Sequence, residues 1–274
     1  MCVTGATGFL GSWLVKRLLE KDYTVHATVR DPDNKAKVSH LLSLPGAEER
    51  LKLFRADLLE SGSFDDAVAN CDGVFHVASP VETTQDVMKP AIEGTLNVLK
   101  ACSKSKTVKR VVVTSSVSAV CINSEQLQQD MDESCWSDVT FLQNRKPPTS
   151  AYELSKTLAE RAAWDYVNEH GLDMVTIIPA LVAGPCITPM VPISIELALS
   201  PLTGNKGLFQ GLKHMQMILG SVSMVHVEDV CNAHIFVMEN ASARGRYICG
   251  PINISVPQLV EYLVQRYPRY NVLT

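Results

Sequence analysis

Tyr152 and Lys156 stand four residues apart in Tyr152-Glu-Leu-Ser-Lys156, within a stretch that carries a helical pattern. On an α-helix that spacing puts both side chains on one face, one turn apart. A phenol and an ammonium held in this way form a proton-donating pair. Free tyrosine titrates near 10, and a cation about 4 Å away at an effective dielectric of ~20 contributes roughly 4 kcal/mol, enough to draw the phenol about three units down toward working pH. The expectation is a depressed tyrosine pKa. Of the seven tyrosines, only Tyr152 has a lysine at this offset. A Tyr-x-x-x-Lys arises readily by chance, so the pair has meaning only if the chain also builds a seat for a redox cofactor.

That seat is predicted at the start of the chain. A fragment of strand, Cys2-Val-Thr4, runs into Gly5, Gly8 and Gly11, and an amphipathic helix follows to about Lys21. Between strand and helix, glycines allow the tight turn and the close approach of a pyrophosphate to backbone N–H groups, while the helix N-terminus adds partial positive charge. Thr7, Phe9 and Leu10 complete this segment. Nineteen residues after Gly11, at the end of the second strand, stands Arg30, where an acid would bind the ribose 2′-hydroxyl of NAD and an arginine accommodates a 2′-phosphate. Arg30 with Lys37 points to NADPH. Asp31 is the competing residue for an NAD ribose, although Asp31-Pro32 reads as a turn. Asp57, just past the third strand and next to Leu58, is placed to accept a hydrogen bond from an adenine amino group; a cap or turn would use it equally well.

The elements that must hold these residues alternate. Strands are predicted at 24–29, 51–55, Gly73–Val77, Arg110–Ser115 and Asp173–Ile178, with helices at 34–44, from Ser63, at Met88–Ser103, and through Lys156 to about His170 before Gly171. This alternation predicts an α/β fold, a Rossmann-type doubly wound parallel sheet with right-handed crossovers. Beyond Pro179, prolines and glycines indicate loops and short helices, then a helix at 228–240, a strand at 246–249 and a helix at 256–267. The reading divides the chain into a cofactor domain, 1–178, and a smaller C-terminal substrate lobe, 179–274, with a soft boundary across which strands or helices may be returned.

At 274 residues, 46% of them apolar and 20% charged, the chain has ample core. A net charge of −4 gives no nucleic-acid or anionic-membrane surface, and no run reaches the ~18 apolar residues of a membrane span. The eight cysteines are scattered without C-x-x-C and, with no signal-peptide pattern, read as reduced thiols of a cytoplasmic protein. His226-x-Glu-Asp-x-Cys231-x-x-His234 lies on a helix with apolar neighbours and reads as packing, so no metal is expected. Val117, Val120, Met190, Val191, Ile193, Phe209, Met215 and Met217 line either a pocket for a flat polyphenol or ordinary lobe core.

Together these residues resemble the extended short-chain dehydrogenase/reductase family, and within it the plant flavonoid reductases. The likeness covers nearly all of the chain: Thr4-Gly-Ala-Thr-Gly-Phe-Leu-Gly11, Thr28-Val-Arg-Asp-Pro32, Phe75-His-Val-Ala-Ser-Pro80, Thr114-Ser-Ser116, Lys146-Pro-Pro-Thr149, Tyr152-x-Leu-Ser-Lys-Thr-Leu-Ala-Glu160, Ile177-Ile-Pro179 and His226-Val-Glu-Asp-Val230. The resemblance implies a Ser-Tyr-Lys catalytic set. Ser116 would hydrogen-bond the substrate oxygen, Tyr152 would donate the proton, and Lys156 would lower its pKa and hold the nicotinamide ribose. Val77-Ala78-Ser79 and Pro179 to Val182 would flank the nicotinamide. Ser115 would face the sheet packing, since strands alternate sides. It also implies NADP(H), a small-molecule flavonoid substrate, and reduction of an anthocyanidin to a flavan-3-ol, with dihydroflavonol 4-reductases or related phenylpropanoid carbonyl reductases as the alternative and a nucleotide-sugar epimerase further off. Anthocyanidin reductases are favoured by Met88-Lys-Pro-Ala-Ile, by Gly211-Leu-Lys-His-Met-Gln-Met217, and by Cys121 where dihydroflavonol reductases place an asparagine. Against them, Phe9-Leu10-Gly11 is closer to the dihydroflavonol reductases. Relative to that family the first strand begins almost at Met1, the chain stops at Thr274 short of the usual C-terminal segment, and the loop Val81–Val87 looks abbreviated. Oligomeric state stays open.

Overall fold

A strand buried on both faces needs an unbroken run of β-branched residues, and Arg110-Val-Val-Val-Thr114 supplies one at the centre of the sheet. Val112 packs with the apolar cluster on one face, while Val111 and Val113 pack with the cluster on the other. In this computed structural model, residues 1–80, 87–123, 131–145 and 150–274 are described; most of the loop read as abbreviated and the Lys146–Thr149 motif lie outside them.

The elements run in chain order: β1 (Cys2–Thr4), α1 (Phe9–Glu20), β2 (Val25–Val29), α2 (Lys35–Leu42), α3 (Ala47–Arg50), β3 (Leu51–Arg55), α4 (Asp65–Val68), β4 (Gly73–His76), α5 (Met88–Lys104), β5 (Arg110–Thr114), α6 (Val139–Arg145), α7 (Ser150–His170) and β6 (Met174–Pro179). There follow β7 (Leu181–Ala183), α8 (Ile193–Ala198), α9 (Ser200–Thr203), α10 (Lys206–Leu219), β8 (Val222–His226), α11 (Val227–Glu239), β9 (Gly245–Cys249), β10 (Ile252–Ile254) and α12 (Val256–Arg266). The main sheet has seven strands in the order β3-β2-β1-β4-β5-β6-β9, all parallel. The order reverses between β1 and β4, where open α/β sheets bind ligands. One face is covered by α1, α2 and α11, the other by α4, α5 and α7.

Residues after 179 go to two places. β9 returns to the main sheet beside β6, and α11 packs on α1 over the core cluster through Val227, Cys231, Ile235 and Val237. The rest forms a small unit: the β10-β8-β7 sheet with α8, α9, α10 and α12 around a core of Phe209, Leu212, Val222, Val256, Leu259, Val260 and Leu263.

Two local expectations are corrected. The helix read from Ser63 is only the single turn α4, and Ser63 does not cap it; its hydroxyl donates to the Asp57 carbonyl (2.8 Å) and accepts from the Asp57 amide (3.2 Å). The stretch read as loops and short helices contains the 14-residue α10, whose Phe209, Leu212 and Met215 repeat at helical spacing onto the lobe core.

Candidate active site

The segments expected to carry the chemistry follow the C-terminal ends of β1 to β6. After β1, Gly5 adopts φ +67°, and a Cβ there would lie 2.8 Å from the Ala78 Cα. A Cβ on Gly11 would lie 2.3 Å from the Gly5 carbonyl oxygen. Both glycines are thus required by close backbone approach. Gly8 is the N-cap of α1 and has no side chain to cap it, so the first amides of the helix, at Phe9 and Leu10, face outward from the turn beside partly exposed Thr7. A turn stripped of side chains against exposed helix amides suits a pyrophosphate. Arg30, just after β2, and Lys37, in the first turn of α2, are exposed and make no ion pair or side-chain hydrogen bond among the described residues. Asp31 is engaged locally, its Oδ1 accepting from the Asp33 amide at 3.1 Å, which is the turn role. Asp57 likewise accepts from the Leu59 amide at 2.9 Å, and the Leu58 side chain is turned onto Gly94 of α5.

After β4, the Val77-Ala78-Ser79 segment is held by residues the sequence reading left without a role. The amides of Val77 and Ala78 donate to Thr4 Oγ1 at 3.1 and 3.0 Å. Thr4 Oγ1 is 2.9 Å from His76 Nδ1, and His76 Nε2 is 3.2 Å from Thr95 Oγ1, which donates to the Ala91 carbonyl. The Thr95 proton is committed, so His76 carries its own on Nε2 and accepts from Thr4 at Nδ1. Burial first, and the Lys156 charge second, push the His76 pKa down to about 3, fixing the ring as neutral. A polar residue at the end of an otherwise apolar strand was the trace of this chain in the sequence.

Ser116 follows β5 in extended backbone and Tyr152 and Lys156 share one face of α7. The structure brings all three together: the Ser116 hydroxyl stands by the Tyr152 phenol and favours its ionised form, and Lys156 Nζ lies 6.0 Å from the Tyr152 ring centroid. Ser115 reaches to the next turn of α7 and donates to Glu160 at 2.5 Å. Pro179 ends β6, and Val182 in β7 packs, as do Leu10 and Val117, against a small buried cluster of Ala180, Val225 and Val230.

The expected depression of the Tyr152 pKa is overturned. Although the residue keeps some exposed surface, enclosure of its ionising end raises the pKa above the usual 10; the Ser116 hydroxyl opposes this, and the Glu153 charge adds to it. Burial acts on the lysine as well, lowering Lys156 to about 8 against the pull of Glu160. The ammonium lies 6.0 Å from the ring centroid, and burial of the phenol is the larger influence. At neutral pH the pair is a protonated phenol beside an ammonium, which can give a proton and then stabilise the phenolate left behind.

His234 and Cys231 are core residues: His234 Nδ1 donates to the Val230 carbonyl and its Nε2 accepts from Thr114, both at 2.7 Å. His226 caps α11 through the Glu228 amide. Of the apolar set, Val120 is buried and Phe209 and Met215 belong to the lobe core, whereas Met190, Val191, Ile193 and Met217 are exposed and Val117 lies partly covered next to Ser116. The Cys121 thiol donates to the Val117 carbonyl. All eight cysteines are free, and no described helix is long and apolar enough to cross a membrane.

The family model described as NAD dependent epimerase/dehydratase family matches residues 1–250. A Ginkgo biloba protein with a provisional anthocyanidin reductase name is 63% identical over 280 residues, covering 100% of this chain and 82% of that protein. Anthocyanidin reductase ((2S)-flavan-3-ol-forming) of Vitis vinifera is 54% identical with coverage of 100% and 82%, and dihydroflavonol 4-reductase of Arabidopsis thaliana is 49% identical with coverage of 99% and 70%. Among solved structures, vestitone reductase from alfalfa superposes with a TM-score of 0.86 at 43% identity, over 100% of this chain and 83% of that one. Gre2 from Candida albicans in complex with NADPH gives 0.83 at 28% identity, over 98% and 82%.

Proposed function

The chain belongs to the NAD dependent epimerase/dehydratase family and is an oxidoreductase of its short-chain dehydrogenase/reductase branch, and from that premise we propose that it uses NADPH to reduce a flavonoid, an anthocyanidin to a flavan-3-ol. The observation that carries the reading is the convergence of Ser116 on the Tyr152 phenol, with Lys156 on the same helix face, in a sheet whose first strand ends in a glycine turn closed to any other residue at Gly5 and Gly11. The relatives' names support the substrate class, and the NADPH complex of a structural neighbour supports the cofactor.

In this reading the turn Gly5 to Gly11 and the first amides of α1 hold the pyrophosphate, Arg30 and Lys37 take the 2′-phosphate, Asp57 and Leu58 lie toward the adenine, and Val77 to Ser79 with Pro179 and Val182 border the nicotinamide. An anthocyanidin cation needs two hydrides and a proton to become a flavan-3-ol, so two cofactor molecules bound in turn would each supply one hydride to an electrophilic carbon of the substrate. Ser116 orients the substrate oxygen and Tyr152 gives it a proton, a role for which a raised pKa is suitable because the phenol stays protonated at neutral pH. Lys156 stabilises the phenolate until it is reprotonated.

The test is NADPH oxidation with cyanidin and with dihydroquercetin, products identified, for the wild type and for Tyr152→Phe. Cyanidin should be consumed to a flavan-3-ol, and Y152F should lose about 10²–10⁴-fold in turnover while NADPH still quenches or enhances fluorescence as in the wild type. A fully active Y152F, or cyanidin left untouched, sinks the reading. Turnover of dihydroquercetin alone would move the assignment to dihydroflavonol 4-reduction, for which the match to the Arabidopsis enzyme speaks and the half-buried Cys121 thiol, a poor substitute for an amide, speaks against. Conversion of a nucleotide sugar without net NADPH loss would indicate an epimerase.

A further inference from the structure

We infer that Glu160 is a positioning residue: its buried carboxylate ties the helix bearing Tyr152 and Lys156 to the strand end bearing Ser116, and it faces Lys156 as the counter-charge. The inference rests on the reductase reading of the Ser116–Tyr152–Lys156 set.

Glu160 stands one turn beyond Lys156 on α7, and its side chain is 1% exposed. Both oxygens are filled. Ser115, immediately before Ser116, donates to Oε2 at 2.5 Å; Arg246 of β9 donates from Nε to Oε1 at 2.7 Å and from Nη2 to Oε2 at 3.4 Å. The guanidinium is fixed in turn: Nη1 donates to the carbonyls of Glu133 and Cys135 at 2.7 and 2.6 Å, and the group lies 3.8 Å from the centroid of the Trp136 ring. One carboxylate therefore joins β5, α7, β9 and the 133–136 segment. Buried ion pairs are seldom kept for stability, since well-packed apolar residues of the same volume often do as well. A pair placed here has a second use.

That use is visible around Lys156. Glu160 and Lys156 border one polar cavity of about 20 Å³ together with Ser115, His76 and Thr95. The titratable groups facing the lysine are Tyr152 and Glu160 from its own helix and neutral His76 from β4; α5 presents Thr95, which carries no charge, and Arg246 of β9 stands behind Glu160. Burial works against the ammonium, and Glu160 is the acid whose charge favours it. A lysine whose pKa is lowered in the fold keeps its proton only below that pKa, so an activity that needs the ammonium declines as pH rises through about 8. Replacing Glu160 by a neutral amide, with Arg246 left unpaired behind it, brings this decline to lower pH.

The experiment compares the pH dependence of kcat for the wild type, Glu160→Gln and Glu160→Asp with cyanidin and NADPH, and NADPH affinity at pH 6.5, with Tyr152→Phe in parallel. E160Q is expected to move the alkaline limb down by about one unit or more, which at pH 8 is roughly a fivefold loss of kcat or greater, with NADPH affinity at pH 6.5 changed less than about threefold. E160D, which keeps the charge, should return most of the shift. An inactive Y152F together with an E160Q limb that coincides with the wild type overturns this inference and leaves the reductase reading intact; an active Y152F overturns that reading instead. Should E160Q fail to fold, Ser115→Ala removes only the hydroxyl that ties strand to helix. It should lower kcat about tenfold with the KM for NADPH unchanged, and S115A kinetics identical to the wild type would refute the brace.

Discussion

On the reading proposed above, two exposed cations with no described partner would set the choice between NADPH and NADH. Arg30 and Lys37 stand past the ends of β2 and its following loop, while the neighbouring acid, Asp31, is occupied by the Asp33 amide. A guanidinium that meets a phosphate forms charge-assisted, often bidentate bonds worth about 1.5–3 kcal/mol each. Arg30→Gln should therefore weaken NADPH binding about ten- to a hundredfold and leave NADH almost unaffected, as read by fluorescence titration of both cofactors; equal losses for the two would place Arg30 away from the 2′-phosphate. At this scale the glycine turn was legible, because φ at Gly5 and the backbone contact at Gly11 forbid any other residue type. The Tyr152 pKa was not: its sign is set by burial, a property of the folded surroundings. Nor was the Thr4–His76 bond, which joins residues 72 apart in the chain.

Among the elements, the strands and long helices of the main sheet were readable to within a residue or two, since each carries its own period or unbroken β-branched run. The three-residue β7 and β10 were not, because strands that short are defined by partners far away in sequence, Met224 for both Leu181 and Ile252. One residue links elements in a way no period reveals. Arg110, at the start of β5, is 5% exposed and donates to Asp173 before β6 and to the carbonyls of Val237, Asn240 and Ala243 at the end of α11 and in the turn beyond it. In a strand otherwise composed of valines it reads as a boundary charge; in the fold it fastens α11 and the approach to β9 onto the sheet. Arg110→Met keeps most of the volume but leaves three carbonyls without this donor and Asp173 without its partner. Removing one partner of a buried pair costs about 3–5 kcal/mol, and the lower end applies because Asp173 retains 35% side-chain exposure. Urea unfolding should show that loss as a fall in midpoint at constant m-value; a change below about 1 kcal/mol would mean that water replaces the guanidinium.

For the whole molecule, the division expected at residue 178 becomes a question about which part can fold. The first 178 residues hold six of the seven strands of the main sheet, yet the face of that sheet under α11 is closed only by residues that come later. Val227, Cys231, Ile235 and Val237 are each 2% exposed or less and pack with Trp13, Leu14, Val112, Val175 and Ile177. Fully burying an aliphatic side chain contributes about 1.5–3 kcal/mol, so the three aliphatic residues among these represent roughly 4.5–9 kcal/mol, comparable to the entire 5–15 kcal/mol stability of an ordinary domain. Cutting at 178 also strips β6 of its pairing with β9 from Val175 to Pro179, and Arg110 of all three of its carbonyl acceptors. A fragment 1–178 should therefore retain helical far-UV circular dichroism but show weak near-UV bands, bind a hydrophobic dye and melt without a cooperative transition. A sharp thermal transition with NADPH-dependent stabilisation in that fragment would show that the cofactor half closes its own core, and that α11 and β9 are attached to a finished domain rather than part of it.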